Sequence, residues 1–284
     1  MEGRAHYNHA LALYDPTEHR LLATRFGQDV AVATLSFRSL ALWMLGYPMA
    51  ALADAEQAIS NGREIGQTAT LMYALYGASN THVLCGNYAT ASALVDELTQ
   101  VADETGAVQW NANGMMTRGW ILALTGRPSD TVQMITSALM SWRSTGATYW
   151  VPLLLSYLAR AYAELGQFDD TWRNIREATT TVETTNEKWF EAEIYRTAGE
   201  IALKSPEPNA AKAEAYFDCA LAVARQQHAK SWELRASTSL ARLWRGQGKV
   251  QQARELLAPV YGWFTEGFDT RDLKEATALL EKLS

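Results

Sequence analysis

Helix breakers recur every 40 residues along this chain. Glycines stand at Gly46, Gly86, Gly126 and Gly166, and further steps of the same length fall on Pro206 and Gly246. A second ladder runs half a period away through Gly66, Gly106, Gly146 and Asn186. The text around it also repeats, as Ile65-Gly-Gln-Thr, Thr105-Gly-Ala-Val, Thr145-Gly-Ala-Thr and Thr185-Asn-Glu-Lys. Two interleaved ladders of one period describe a single structural unit used many times. Such units stack because one alone cannot bury its apolar face.

The stretches between breakers carry apolar residues at helical spacing. Leu35, Leu42 and Leu45 form one stripe; Leu154, Leu155, Leu158, Tyr162 and Leu165 form another. Glycine just past a helix end accepts the left-handed conformation without a Cβ clash. Each 40-residue unit therefore reads as helix, turn, helix, turn, an antiparallel hairpin. Only 7 prolines in 284 residues agree with a helical chain. The expected organisation is one solenoid domain: a half repeat over 1–28, repeats over 29–66, 67–106, 107–146, 147–186, 187–228 and 229–266, and a capping helix over 267–284. Asp15-Pro-Thr-Glu predicts a helix restart at Pro16, and Asp269 and Thr270 are N-cap candidates for a last helix to about Leu283. The chain opens in the middle of a repeat, as a segment of a longer protein or a processed capping segment would.

Within the units the pattern resembles the tetratricopeptide repeat (TPR). Small residues stand seven before each turn glycine (Ser39, Ser79, Gly119, Ala159) and larger ones four before it (Leu42, His82, Leu122, Tyr162). Small residues suit close helix crossings, and large ones fill the space between. The resemblance implies an all-α, right-handed superhelical solenoid of TPR-like helical hairpins. Its period of 40 exceeds the usual 34 residues.

A second resemblance covers nearly the whole chain. The run Leu256 to Ala276, with Ala41-Leu-Trp-Met-Leu-Gly-Tyr-Pro48, Tyr14-Asp-Pro-Thr-Glu-His19 and Ser239-Leu-Ala-Arg-Leu-Trp244, looks like the C-terminal repeat region of bacterial STAND-type signalling ATPases. In that family a class III cyclase or winged-helix domain precedes the ATPase and the TPR-like repeats. The resemblance implies a cytoplasmic regulatory or sensing arm, linked covalently to an ATPase and an effector domain. No phosphate-binding loop occurs here, so no catalytic residue of that family carries over.

Composition narrows the function. The net charge is −6 and no Lys/Arg run occurs, which argues against a nucleic-acid partner. No apolar stretch is long enough for a membrane span. Two cysteines, Cys85 and Cys219, supply no zinc cluster and suit a reducing compartment. His6 and His9, one helical turn apart and with His19 near, have the spacing of a metal site but read as surface histidines. Cys85 reads as a small buried residue rather than a nucleophile, and the acidic residues Glu183, Glu187, Glu191 and Glu193 as a solvated face. The expectation is a non-enzymatic module with neither metal nor cofactor. Of 10 tryptophans, Trp110, Trp150, Trp189 and Trp232 open successive first helices and are expected to stack as a ladder.

In TPR superhelices the first helix of each hairpin lines the groove. Counting back 13, 10 and 6 from the turns gives the inward rows Ala33, Ser36, Leu40; Tyr73, Tyr76, Asn80; Asn113, Met116, Trp120; Leu153, Ser156, Arg160; and Glu193, Arg196, Glu200. Aromatic anchors flanked by amides suit a peptide. The candidate binding residues are thus Tyr73, Tyr76, Asn80, Asn113, Met116, Trp120, Arg160 and Arg196. The amides would bond an extended backbone, and the arginines would meet a carboxylate. A peptide or protein partner is the leading expectation. A small-molecule inducer inside the superhelix is the alternative, and self-association into a homodimer a third.

Overall fold

The computed structural model describes residues 2–144 and 146–283. Among these it contains sixteen helices and no strand, arranged as successive TPR-like hairpins. The chain divides into two compact units, Met1–Arg118 and Gly119–Ser284.

The first unit holds α1 (Glu2–Ala12), α2 (Pro16–His19), α3 (Leu22–Phe26), α4 (Val30–Met44), α5 (Pro48–Ile65), α6 (Thr68–Cys85), α7 (Tyr88–Thr105) and the start of α8 (Val108–Leu124). α4 pairs with α5 and α6 with α7, while α4 also lies along α6. The second unit holds the end of α8, α9 (Pro128–Ser144), α10 (Val151–Glu164), α11 (Phe168–Thr185), α12 (Glu191–Lys204), α13 (Ala210–Gln226), α14 (Lys230–Gly246), α15 (Val250–Tyr261) and α16 (Arg271–Glu281). Here the hairpins are α10/α11, α12/α13 and α14/α15.

From Gly46 to Gly166 and from Gly66 to Asn186, both ladders are left-handed turn positions. φ is +92° at Gly46, +83° at Gly86 and +75° at Gly126 and Gly166, and +58° at Asn186, which takes the place of glycine. The residue after each turn glycine donates back to the carbonyl of the large residue before it: Asn87 N to His82 O at 2.8 Å and Gln167 N to Tyr162 O at 2.9 Å. These bonds satisfy carbonyls that a helix end leaves orphaned. The small positions are equally informative. Ser39, Ser79 and Ala159 are fully buried. A Cβ on Gly119 would stand 2.6 Å from Ile135 Cγ1.

The period slips once. The sixth turn is at Gly248 (φ +79°), not Gly246, which remains inside α14. Five residues, 205–209, separate α12 from α13, against three, 165–167, between α10 and α11. Every later landmark therefore moves two places, including the left-handed His228 (φ +54°). The start differs as well. The chain does restart at Pro16, where Asp15 Oδ1 accepts from Thr17 N at 2.8 Å. The new helix stops at His19, and α3 ends at Gly27 with φ +82°. At the other end, Thr270 makes no side-chain cap, because its hydroxyl donates to Gly267 O.

Candidate functional site

In the first unit, the exposed sides of α4, α6 and α8 carry a row of aromatic rings. Phe37, half exposed, meets Tyr73 edge-on with centroids 6.0 Å apart; Tyr73 meets Trp110 at 5.8 Å, and Tyr76 meets the same indole at 6.1 Å. Tyr73 and Tyr76 are half-buried, so each shows part of its ring. The amides lie deeper. Asn80 and Asn113 are 2% and 3% exposed, and Thr117 joins them: its hydroxyl contacts Asn80 Oδ1 at 2.9 Å and Asn113 O at 3.3 Å. Asn80 Nδ2 and Asn113 Oδ1 are buried and have no hydrogen-bond partner. A buried amide left unpaired costs about 1–3 kcal/mol. Met116 is buried in the same unit.

The second unit lines its first helices with charge. Glu193, 1% exposed, grips Arg196 through two bonds of 2.6 Å to Nε and Nη2. Arg196 Nη1 also reaches Glu200 Oε1, and Ser239 Oγ at 3.2 Å. From α14, Arg235 donates to Asp272 of α16 at 2.7 Å and stands 3.8 Å from Glu193, with its guanidinium 5.1 Å from the Trp232 ring centroid. Burial would raise the Glu200 carboxyl, but Arg196 and Arg160 outweigh it and hold the group below its ordinary range. Burial wins at Asp272, which is raised despite Arg235. Arg160 pairs with Glu164 on its own helix. Trp120 is buried against Tyr157 with centroids 5.6 Å apart, and its indole N–H acts on the buried Tyr157 hydroxyl.

Three of the four ladder tryptophans meet, but edge-on and tilted rather than stacked. Trp150 and Trp189 lie 4.9 Å apart, and Trp189 and Trp232 lie 6.4 Å apart; Trp110 belongs to the tyrosine row described above. Trp150 adopts φ +67°, a conformation costing a bulky residue about 1–3 kcal/mol. Glu187 offsets that strain. Its Oε1 accepts from Trp150 N and from Trp189 Nε1, each at 2.9 Å, while Oε2 is buried without a partner. Burial raises the Glu187 carboxyl.

The structure therefore brings Tyr73 and Tyr76 onto one indole and Asn80 onto Thr117 of α8, and ties Arg196 to carboxylates of its own helix. Residues nine before each turn escaped the sequence reading: Phe37, Thr117, Tyr157 and Ser239 all face these networks. Their periodicity was visible, since helical rows at −9 and −13 lie on one face. Arg235 stands 13 before Gly248 and so continues the inward rows into the last hairpin, beyond the rows counted from the sequence.

Cys85 is buried and Cys219 exposed, both as free thiols. His19 Nδ1 accepts from Asp15 N at 2.8 Å. Among the described residues no group of three His, Cys, Asp or Glu is placed to hold a metal ion, and no helix is long and apolar enough to cross a membrane.

No protein-family model and no curated protein matches the chain. Solved structures do. The apo form of RapI aligns over 99% of this chain and 100% of its own, with a TM-score of 0.61 at 13% identity. NprR in complex with its cognate peptide NprX aligns over 99% of this chain and 81% of its own, with a TM-score of 0.60 at 14% identity. BtubC (BKLC) from P. vanneervenii aligns over 82% of this chain and 87% of its own, with a TM-score of 0.50 at 16% identity. At such identities the likeness is one of fold, and the fold is that of an all-α solenoid of TPR-like hairpins.

Proposed function

We propose that the chain is a non-enzymatic interaction and regulatory module that binds a peptide, or an extended segment of a protein. The observation that carries this reading is the pair of unpaired amide atoms, Asn80 Nδ2 and Asn113 Oδ1, on the same two helices as an accessible aromatic row. One is a donor and the other an acceptor, the pairing that a peptide unit offers. Tyr73, Tyr76 and Trp110 would hold the side chains on either side, and Met116 is proposed as a further binding residue of this unit. In the second unit Trp120, Arg160 and Arg196 are proposed as binding residues of that unit's own face. The peptide held by NprR on a similar fold supports the reading.

The wider setting is proposed on the sequence resemblance: the regulatory arm of a bacterial, cytoplasmic STAND-type ATPase, coupling partner binding to an effector domain by shifting the favoured solenoid conformation. A small-molecule inducer is the second reading, favoured by the buried Trp120 and Tyr157 rings on the second unit's first helices.

Affinity capture from host lysate, read by proteomics and metabolite analysis, tests both. The wild-type chain is run beside a Tyr76→Ala/Asn113→Ala variant that keeps its helical circular dichroism. A protein lost only with the variant supports the interaction module. A metabolite lost only with the variant favours the inducer. Identical capture by both chains removes the first-unit face as the site.

A further inference from the structure

The two carboxylates on Arg196 are held very differently. Glu193 is sealed at 1% exposure and engages the guanidinium with both oxygens. Glu200 presents a single oxygen, its side chain is 30% exposed, and it stands at the rim of a cleft of about 450 Å³. Leu203, Phe217 and Leu243 give that cleft an apolar lining, and Ser239 and Arg242 add polar groups. Ser239 Oγ already bonds the Glu200 carboxylate at 3.2 Å.

We infer that Glu200 is a placeholder: its carboxylate stands where a ligand carboxylate binds, and the ligand's apolar substituent enters the adjoining cleft. Arg196 Nη1 and Ser239 Oγ are the receiving groups. Turning Glu200 toward solvent leaves Arg196 with Glu193 alone, and the incoming carboxylate restores the pair. The exchange is carboxylate for carboxylate, so it changes no net charge in a poorly solvated place. The surrounding field favours an anion there: Arg160 and Lys204 act on the Glu200 carboxylate from a distance and Arg242 lines the cleft. Glu164 partly balances the first two, at 3.3 and 3.9 Å, and Glu275 partly balances the third, at 2.7 Å. The volume falls in the range of small-ligand pockets and admits a branched or aromatic side chain. The chemistry is an apolar-substituted carboxylate, whose sources are the C-terminal residue of a peptide or a free organic acid.

The inference deepens the reading above by naming the ligand's terminal group, and in that sense rests on it. The test addresses the cleft by itself. The full chain, labelled with nitrogen-15, is titrated with N-acetyl-leucine, with N-acetyl-leucinamide, and with acetyl-Gly-Gly-Leu bearing a free C-terminus. Expected are saturable shifts at the amides of Ser239, Arg242 and Gln247 with the acid, with a dissociation constant of millimolar order, and none with the amide. Glu200→Ala tightens the acid about tenfold by removing the competitor. Glu200→Gln, which keeps the side-chain length, tightens it less. Tighter binding of the peptide acid than of the free amino acid derivative assigns the peptide source, and the reverse order assigns the free acid. Equal binding of acid and amide overturns the inference. So does a Glu200→Ala chain that remains helical and binds no more tightly than wild type. Either failure alongside intact lysate capture through Tyr76 and Asn113 removes the cleft alone; lost capture with an intact cleft removes the other reading alone.

Discussion

The two units finish the exposed side of their first helices in opposite ways. In the first unit, rings at Phe37, Tyr73, Tyr76 and Trp110 share their helices with amides that keep a donor and an acceptor unspent. In the second unit, Asp272, Arg235, Glu193, Arg196 and Glu200 follow one another as alternating charges, each answered by the next. The same hairpin therefore offers two kinds of surface. One carries unmet hydrogen-bonding capacity and gains by meeting a partner. The other answers its charges within the unit, each of these carboxylates meeting a guanidinium.

The largest effect should come from breaking the charged chain. Arg196→Met strands the buried Glu193 and should cost about 3–5 kcal/mol in urea unfolding. Adding Glu193→Leu should recover most of that loss, and no recovery would mean the two residues act separately. Next come the helical glycines. Gly199→Ala would place a Cβ 2.5 Å from the Phe217 ring, with three ring atoms inside 3 Å, and should cost about 1–3 kcal/mol. Gly114→Ala in the first unit meets only the Thr99 methyl closely, and gains about 1 kcal/mol of helix propensity, so it should come out near neutral. Equal losses at both glycines would erase the packing contrast.

A smaller effect, opposite in sign, is expected at Asn113. Asn113→Leu removes a buried unpaired oxygen and should stabilise the chain by about 1 kcal/mol while weakening partner capture. A destabilised variant would show that the amide is already satisfied. The smallest effect concerns acidity. The folded Glu187 carboxyl is raised, so its contribution is present in acid and is lost as pH rises through the folded value. The melting temperature of Glu187→Gln relative to wild type should therefore climb from acid to neutral pH. A difference that stays flat would place the shift elsewhere.

Much of the fold was legible because turns demand particular residues. Gly46, Gly86, Gly126 and Gly166 mark left-handed positions, and Asn186 is the residue type that next best tolerates one. The strict 40-residue step to Gly246 falls two places short of the turn for a physical reason. Two extra residues within 205–209 lengthen a surface loop without changing a helix, and the repeat pattern of Leu240 and Trp244 points to Gly248 instead. The candidate site was legible only as rows. Counting placed Asn80 and Asn113 on one side but could not say that Thr117 joins them. It proposed Arg196 for a carboxylate without revealing that Glu193 and Glu200 already hold it. Residue types reveal which bonds can form, and only packing decides which of them are already made.

The indoles of Trp150, Trp189 and Trp232 have an optical consequence. They stand 4.9 and 6.4 Å apart at interplanar angles of 77° and 41°, with Trp189 in the middle. Transition dipoles so close and so oblique couple, and the sign and strength of the resulting ultraviolet circular dichroism follow their mutual angle. These residues open three successive hairpins, so the signal reads the register between them without any attached label. Trp189→Phe deletes both couplings at once, which identifies their contribution among the other tryptophans and turns the second unit into its own goniometer.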